Sequence, residues 1–211
     1  GETQALLSTA DEEIARLAQT VNGPLLSRLA AITKFQDQQC VDSLRQGAVL
    51  GCVSTVAEAL QGCRVQPLGV MRYVAVASPG FLAARLPDGL HAGNFADTPF
   101  LVFNRKDDMQ VQWVAEAFGV RSPRLRERFV PSSEAYVHAA VMGWGVGVAP
   151  EIQVRPWVAE GRLTVLKPQV GVDVALYWHQ WQLPAQKGVN CGMVVALMAH
   201  QLRLKSTAAQ A

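Results

Sequence analysis

Between residues 98 and 178, short apolar runs alternate with stretches of helical period, and this alternation limits the fold more than any other feature of the chain. An apolar run at 100–103 leads to the acidic pair Asp107-Asp108. Residues 109–118 then carry Trp113, Val114 and Phe118 at helical spacing and stop at Gly119. Residues 126–130 are strand-like and lead into Pro131-Ser132-Ser133-Glu134, which opens a helix over 133–142 that ends at Gly143. A further strand is expected at 146–149, stopped by Pro150, then a helix over 151–161 in which Pro156 is a flaw, and strands at 163–166 and 172–178. Strands alternating with helices imply an α/β class with a parallel or mixed sheet.

Upstream, residues 3–18 place Ala5, Leu6, Ile14 and Leu17 on a thin apolar stripe, the pattern of an amphipathic helix that packs on a neighbour or partner. A short helix at 25–32 and a strand at 32–36 ending near Asp37 are expected next. A helix at 40–46 follows, closed by Gly47, and then a buried strand over 49–53 running to Ser54. Residues 65–70 and 73–77 read as two strands, and Ser78-Pro79-Gly80 as a break before a short helix at 81–85. A last amphipathic helix is expected at 189–204. One α/β group precedes Ser78 and a second follows it, which suggests two lobes with a cleft between them.

Charged residues are 17% of the chain and hydrophobic residues 50%, a composition with a real core. The net charge of +2 gives no strong field toward nucleic acid or membrane. No apolar run approaches the ~18 residues of a membrane helix, and no secretory signal pattern opens the chain. Cys40, Cys52, Cys63 and Cys191 are widely spaced without a C-x-x-C, which fits buried free thiols in a reducing cytoplasm; a redox switch or a disulfide is the alternative, and a zinc site does not fit.

Two polar clusters stand at strand-to-helix junctions, with no catalytic triad or metal-ligand set. Ser132 is the natural N-cap of the 133–142 helix, with Glu134 in its first turn. The same N–H groups and hydroxyl can also hold a carboxylate, and the two roles are compatible. Asp107-Asp108 either complement the dipole of the 109–118 helix or pair with a ligand cation. Gly143, Gly145 and Gly147 follow a helix and precede a strand, the wrong order for a dinucleotide fold, and suit a tight turn with close packing. His179 stands without a catalytic partner motif. The arginine-rich segment 121–128 reads as a solvated connection and not as a DNA-reading patch.

These segments together resemble the regulatory part of LysR-type transcriptional regulators, and within them the arginine- and lysine-responsive ArgP/LysG branch. The residues that carry the resemblance are Leu44-Arg45-Gln46-Gly47, Gly51-Cys52-Val53-Ser54, Leu68-Gly69, the run 73–78, Asp107-Asp108-Met109, the run 130–137, Pro150-Glu151-Ile152-Gln153 and Leu176-Tyr177-Trp178-His179. The Asp-Asp-Met triplet and the Ser-Ser-Glu-Ala-Tyr-Val run are the more specific of these. The resemblance covers residues 40–200 or so and departs from the family's pattern near Gly23-Pro24, where this chain is shorter.

The resemblance implies two Rossmann-like lobes of the type 2 periplasmic-binding-protein kind. Residues 1–17 would be the remnant of a linker helix, 18–77 with 180–205 the first lobe, and 78–179 the second. It implies a cytoplasmic sensor without a cofactor, an enzymatic step or a membrane contact. The effector would be a basic amino acid, L-lysine or L-arginine, held between the lobes. Ser132, Ser133 and Glu134 would line the cleft; Asp107, Asp108 and Asp37 are candidates for the cationic end, and Ser54 for the opposing strand end. A homodimer or homotetramer is expected, with DNA read only through a winged helix-turn-helix absent from this chain. A free-standing solute-binding protein of the same fold, a thiol-based regulator and a two-lobed enzyme are the competing readings. The enzyme would need a nucleophile or cofactor-attachment site that the sequence does not offer.

Overall fold

The computed structural model describes residues 42, 44–46, 51–59 and 61–181. The expected helices at 3–18, 25–32 and 189–204, the strand at 32–36, Asp37, Cys40 and Cys191 lie outside the described residues, as does the region around Gly23-Pro24. Seven strands and four longer helices are described: β1 (Gly51–Ser54), β2 (Cys63–Ala77), α1 (Pro79–Arg85), β3 (Pro99–Val102), α2 (Met109–Phe118), β4 (Arg126–Phe129), α3 (Ser133–Val141), β5 (Gly147–Pro150), α4 (Glu151–Ala159), β6 (Thr164–Leu166) and β7 (Val172–Trp181).

The chain divides into two compact units. In the second, Met71–Val174, the C-terminal part of β2 pairs antiparallel with β5, Tyr73 opposite Pro150 and Val76 opposite Gly147. It also pairs antiparallel with β6, Ala75 opposite Leu166. β3 and β4 pair in parallel, Pro99 with Arg126 through Val102 with Phe129. A single parallel bridge, Phe100 with Val146, joins β3 to the approach of β5. The strand order across this unit is therefore β4-β3-β5-β2-β6.

The helices of this unit follow from their apolar spacing. Met109, Gln110, Trp113 and Val114 are the buried face of α2, at steps of one, four and five residues. Gly119 closes that helix in the left-handed region at φ 67°, its N–H donating to Ala115 O. From α3, Tyr136, Val137 and Ala140 pack into a cluster with Val74, Val76, Leu101, Val154 and Leu163. Complete burial of side chains such as Phe100, Leu101 and Met109 contributes about 1.5–3 kcal/mol each relative to exposure.

One expectation needs correction here. β2 is one 15-residue strand and not two. Arg72 sits within it on a half-exposed face, paired with Asp173 at 3.5 Å, so the charge interrupts the apolar pattern without interrupting the strand. The strand expected at 126–130 forms as β4 (Arg126–Phe129), and its residues are exposed. The glycine-rich turn behaves as expected. Gly143 has φ 77°, and a Cβ on Gly145 would sit 2.5 Å from the carbonyl oxygen of Pro99.

In the first unit, β1 pairs antiparallel with the C-terminal part of β7, Cys52 opposite His179 and Ser54 opposite Tyr177. Leu44, Cys52 and Cys63 form a small buried cluster. Burial pushes the Cys63 thiol above its ordinary pKa.

Candidate functional site

In the second unit, β3, β4 and β5 run in parallel, so the segments that follow them emerge at one edge of the sheet. The right-handed crossover rule sends the connection after β3 and the connection after β5 to opposite sides. The C-terminal edge between β3 and β5 is then a switch point, the place where open α/β sheets bind ligands.

The backbone shows the opening directly. Leu101 N donates to Val146 O at 2.8 Å and Val146 N to Pro99 O at 2.9 Å. Continued one step further, the ladder would send Val148 N to Leu101 O and Phe103 N to Val148 O. Neither bond forms in that way. The Tyr136 hydroxyl stands in the first gap, accepting from Val148 N at 3.0 Å and donating to Leu101 O at 2.8 Å. Asp107 Oδ2 takes Phe103 N at 3.0 Å in the second. The strands splay, and side chains from the next two helical segments satisfy the freed backbone groups.

Gln110 ties the two replacements together. Its amide nitrogen lies 2.7 Å from Leu101 O, 2.9 Å from Asp107 Oδ2 and 3.0 Å from Tyr136 Oη. Two of these partners only accept, which fixes the nitrogen's position in the amide. Its oxygen is buried without a hydrogen-bond partner among the described residues. Burial first, and then the negative charge of Asp107, push the Tyr136 phenol above its ordinary range; the bonds from Gln110 and Val148 oppose the shift.

Asp107 is buried and also accepts from Met109 N at 3.2 Å. Three N–H groups thus converge on a carboxylate that holds the β3–α2 loop. Asp108 occupies the N-cap position of α2 but makes no side-chain cap. It is exposed, and its Oδ2 accepts from Gln112 Nε2 at 2.6 Å. Ser132, also exposed, is the N-cap of α3 in extended conformation, its Oγ accepting from Ala135 N at 3.4 Å. Ser133 and Glu134 are the first two residues of α3. Ser132, Asp107 and Asp108 therefore share the edge at the C-terminal ends of the adjacent strands β4 and β3.

Ser54 lies in the other unit, fully buried at the end of β1, its Oγ accepting from Val56 N at 3.0 Å. The loop it starts is also held by His179, whose Nε2 lies 2.8 Å from Val56 O. His179 is buried and structural in this arrangement. Among the described residues, no group of three His, Cys, Asp or Glu could hold a metal ion. No helix there is long and apolar enough to cross a membrane.

A family model described as the LysR substrate binding domain matches residues 31–187. The chain belongs to this family. The HTH-type (helix-turn-helix) transcriptional regulator ArgP of Aeromonas salmonicida is 40% identical over 149 residues, 70% of this chain and 50% of ArgP. The C-terminal domains of a LysR family protein from Agrobacterium tumefaciens superpose with a TM-score of 0.69 at 37% identity, covering 80% of this chain and 79% of that one. Full-length LysG of Corynebacterium glutamicum with bound effector Arg superposes with a TM-score of 0.62 at 29% identity, covering 79% of this chain and 55% of that one. The chain spans about half the length of the curated relatives it matches.

This LysR substrate-binding domain accordingly has the type 2 periplasmic-binding-protein-like α/β fold. Its ArgP and LysG relatives are named as transcriptional regulators. Sequence reasoning missed Tyr136 and Gln110. The signal available was weak: a tyrosine on an otherwise apolar helix face, and a glutamine where α2 should be apolar. Their role depends on a strand splay that no local pattern announces.

Proposed function

We propose that this LysR-type domain senses a basic amino acid, L-arginine or L-lysine, and passes the signal to DNA. A helix leaves its first N–H groups without intrahelical partners, and Ser132 takes one of those of α3. The others, with the Ser132 and Ser133 hydroxyls, suit the effector's carboxylate. Glu134, Asp108 and Asp37 are the carboxylates proposed to meet its cationic groups, and Ser54 a contact from the end of β1. Asp107, with three N–H groups already on it, is proposed to act by holding Asp108 and the loop in place. No covalent step is involved; ligand energy shifts a conformational equilibrium.

The observation that carries this reading is the α3 N-terminus at the switch-point edge, in a chain similar to a LysG solved with Arg as its effector. The whole protein is proposed to act in the cytoplasm as a homodimer or homotetramer, reading DNA through a helix-turn-helix like the one named for its ArgP relatives. Calorimetry with L-arginine, L-lysine and a neutral amino acid of similar length tests it. Heat of binding is expected for at least one basic amino acid and not for the neutral one. No heat from either basic ligand would contradict the proposal.

A further inference from the structure

At the edge of the second unit's sheet opposite Ser132 lies a groove of about 610 Å³. Pro99, the first residue of β3, Arg126, the first of β4, and Gly143 after α3 line it, so it opens at the N-terminal ends of the parallel strands. Four arginines from three parts of the fold share its wall: Arg85 in the last turn of α1, Arg126 and Arg128 on β4, and Arg162 after α4. Among the described residues, no carboxylate lines it. Strand alternation puts Arg126 and Arg128 on one side of β4 and Glu127 on the other.

We propose that this groove is a second ligand site, for a small anion bearing two or more carboxylate or phosphate groups. The whole chain has 19 Lys and Arg against 17 Asp and Glu, so four arginines lining one concavity are a local concentration of charge. Two of the four are partly committed. Arg128 donates to Trp144 O at 2.6 Å, and Arg162 lies over the Trp157 ring at 4.4 Å and 4.0 Å from Glu160. These contacts hold planar guanidinium groups at the wall, which suits two-point recognition of carboxylate or phosphate. Arg85 and Arg126 form no ion pair among the described residues. The volume lies in the range of small-molecule sites, and a cleft lined by one sign of charge concentrates counter-ions.

Charges on an exposed strand also prevent edge-to-edge association. That accounts for Arg126 and Arg128 but not for Arg85 and Arg162, which stand on other elements and face the same space.

The test is calorimetry of the full chain at low salt with pyrophosphate and, separately, citrate. Binding of either supports the site, and the stronger of the two identifies phosphate or carboxylate as its chemistry. The double variant Arg85→Gln/Arg126→Gln should weaken binding at least about tenfold, the scale of a lost charge-assisted hydrogen bond. Gly80→Glu tests the location without removing an arginine. Gly80 lines the groove, a Cβ there meets nothing within 4 Å, and an acidic residue in a helix's first turn is tolerated. It should abolish anion binding while L-arginine binds the variant as it binds the parent. Absence of binding to both anions, or unchanged binding in Gly80→Glu, would overturn the proposal.

Discussion

Replacing Tyr136 by phenylalanine removes one oxygen from a position where it stands in for a ladder hydrogen bond. Val148 N loses the acceptor 3.0 Å away and has β2 on its other side, so its N–H is left buried. Leu101 O keeps the Gln110 amide at 2.7 Å, so its share of the loss is small. One orphaned buried donor costs about 1–3 kcal/mol. For a chain of this size, about 2 kcal/mol lowers the melting temperature by roughly 4–8 °C. Urea unfolding followed by circular dichroism measures the first quantity, and thermal unfolding the second. Amide exchange adds a local readout, in which protection at Val148 should fall more than at Ala149. A variant within about 0.5 kcal/mol of the parent, with Val148 protection unchanged, would refute the view that this hydroxyl completes the β3–β5 pairing.

Tyr136 also sets an alkaline limit. Its folded pKa is raised above the unfolded value of about 10, so its contribution is complete below that pH and is lost as pH rises through the folded pKa. Stability of the parent should therefore fall more steeply above about pH 10 than that of Tyr136→Phe, as urea midpoints across that range would show. Gly145→Ala places a Cβ 2.5 Å from Pro99 O, against backbone that cannot yield without loosening the Phe100–Val146 bridge; a loss of about 1–3 kcal/mol is expected in the same unfolding assay. Ser132→Ala should lose about 1 kcal/mol of helix capping and also weaken arginine binding, whereas Ser132→Asp keeps a cap but sets a negative charge against the ligand carboxylate. If calorimetry finds Ser132→Asp binding as tightly as the parent, the carboxylate is not held there. Cys63, buried and with a raised pKa, should react with a thiol reagent far more slowly in the folded chain than in urea.

Much of the second unit was legible because its elements announce themselves locally. The α2 stripe from Met109 to Val114 and the stop at Gly119 fix that helix from spacing and one left-handed residue. Ser132 was legible as an N-cap for the same reason: capping is a matter of residues three apart. β2 was read as two strands, 65–70 and 73–77, and only backbone pairing with strands distant in sequence makes it one; the Arg72 side chain within it meets Asp173, 101 residues away. The acidic pair was legible as a helix start but not in its division of labour. Asp108 has the cap position, while Asp107 makes the bonds, because the splay between β3 and β5 leaves Phe103 N open to it. The arginine groove was illegible for a like reason. A run of arginines at 121–128 looks solvated in one dimension, and only the fold brings Arg85 and Arg162 to its side.

The central claim is that the first turn of α3, in this LysR-type effector domain, receives the carboxylate of a basic amino acid. A crystal structure of the chain grown with L-arginine tests it most directly. The account predicts ligand density with the carboxylate at the N–H groups of residues 133 and 134 and within hydrogen-bonding distance of Ser132. Bound arginine with its carboxylate elsewhere, or an empty α3 N-terminus at saturating ligand, would contradict it.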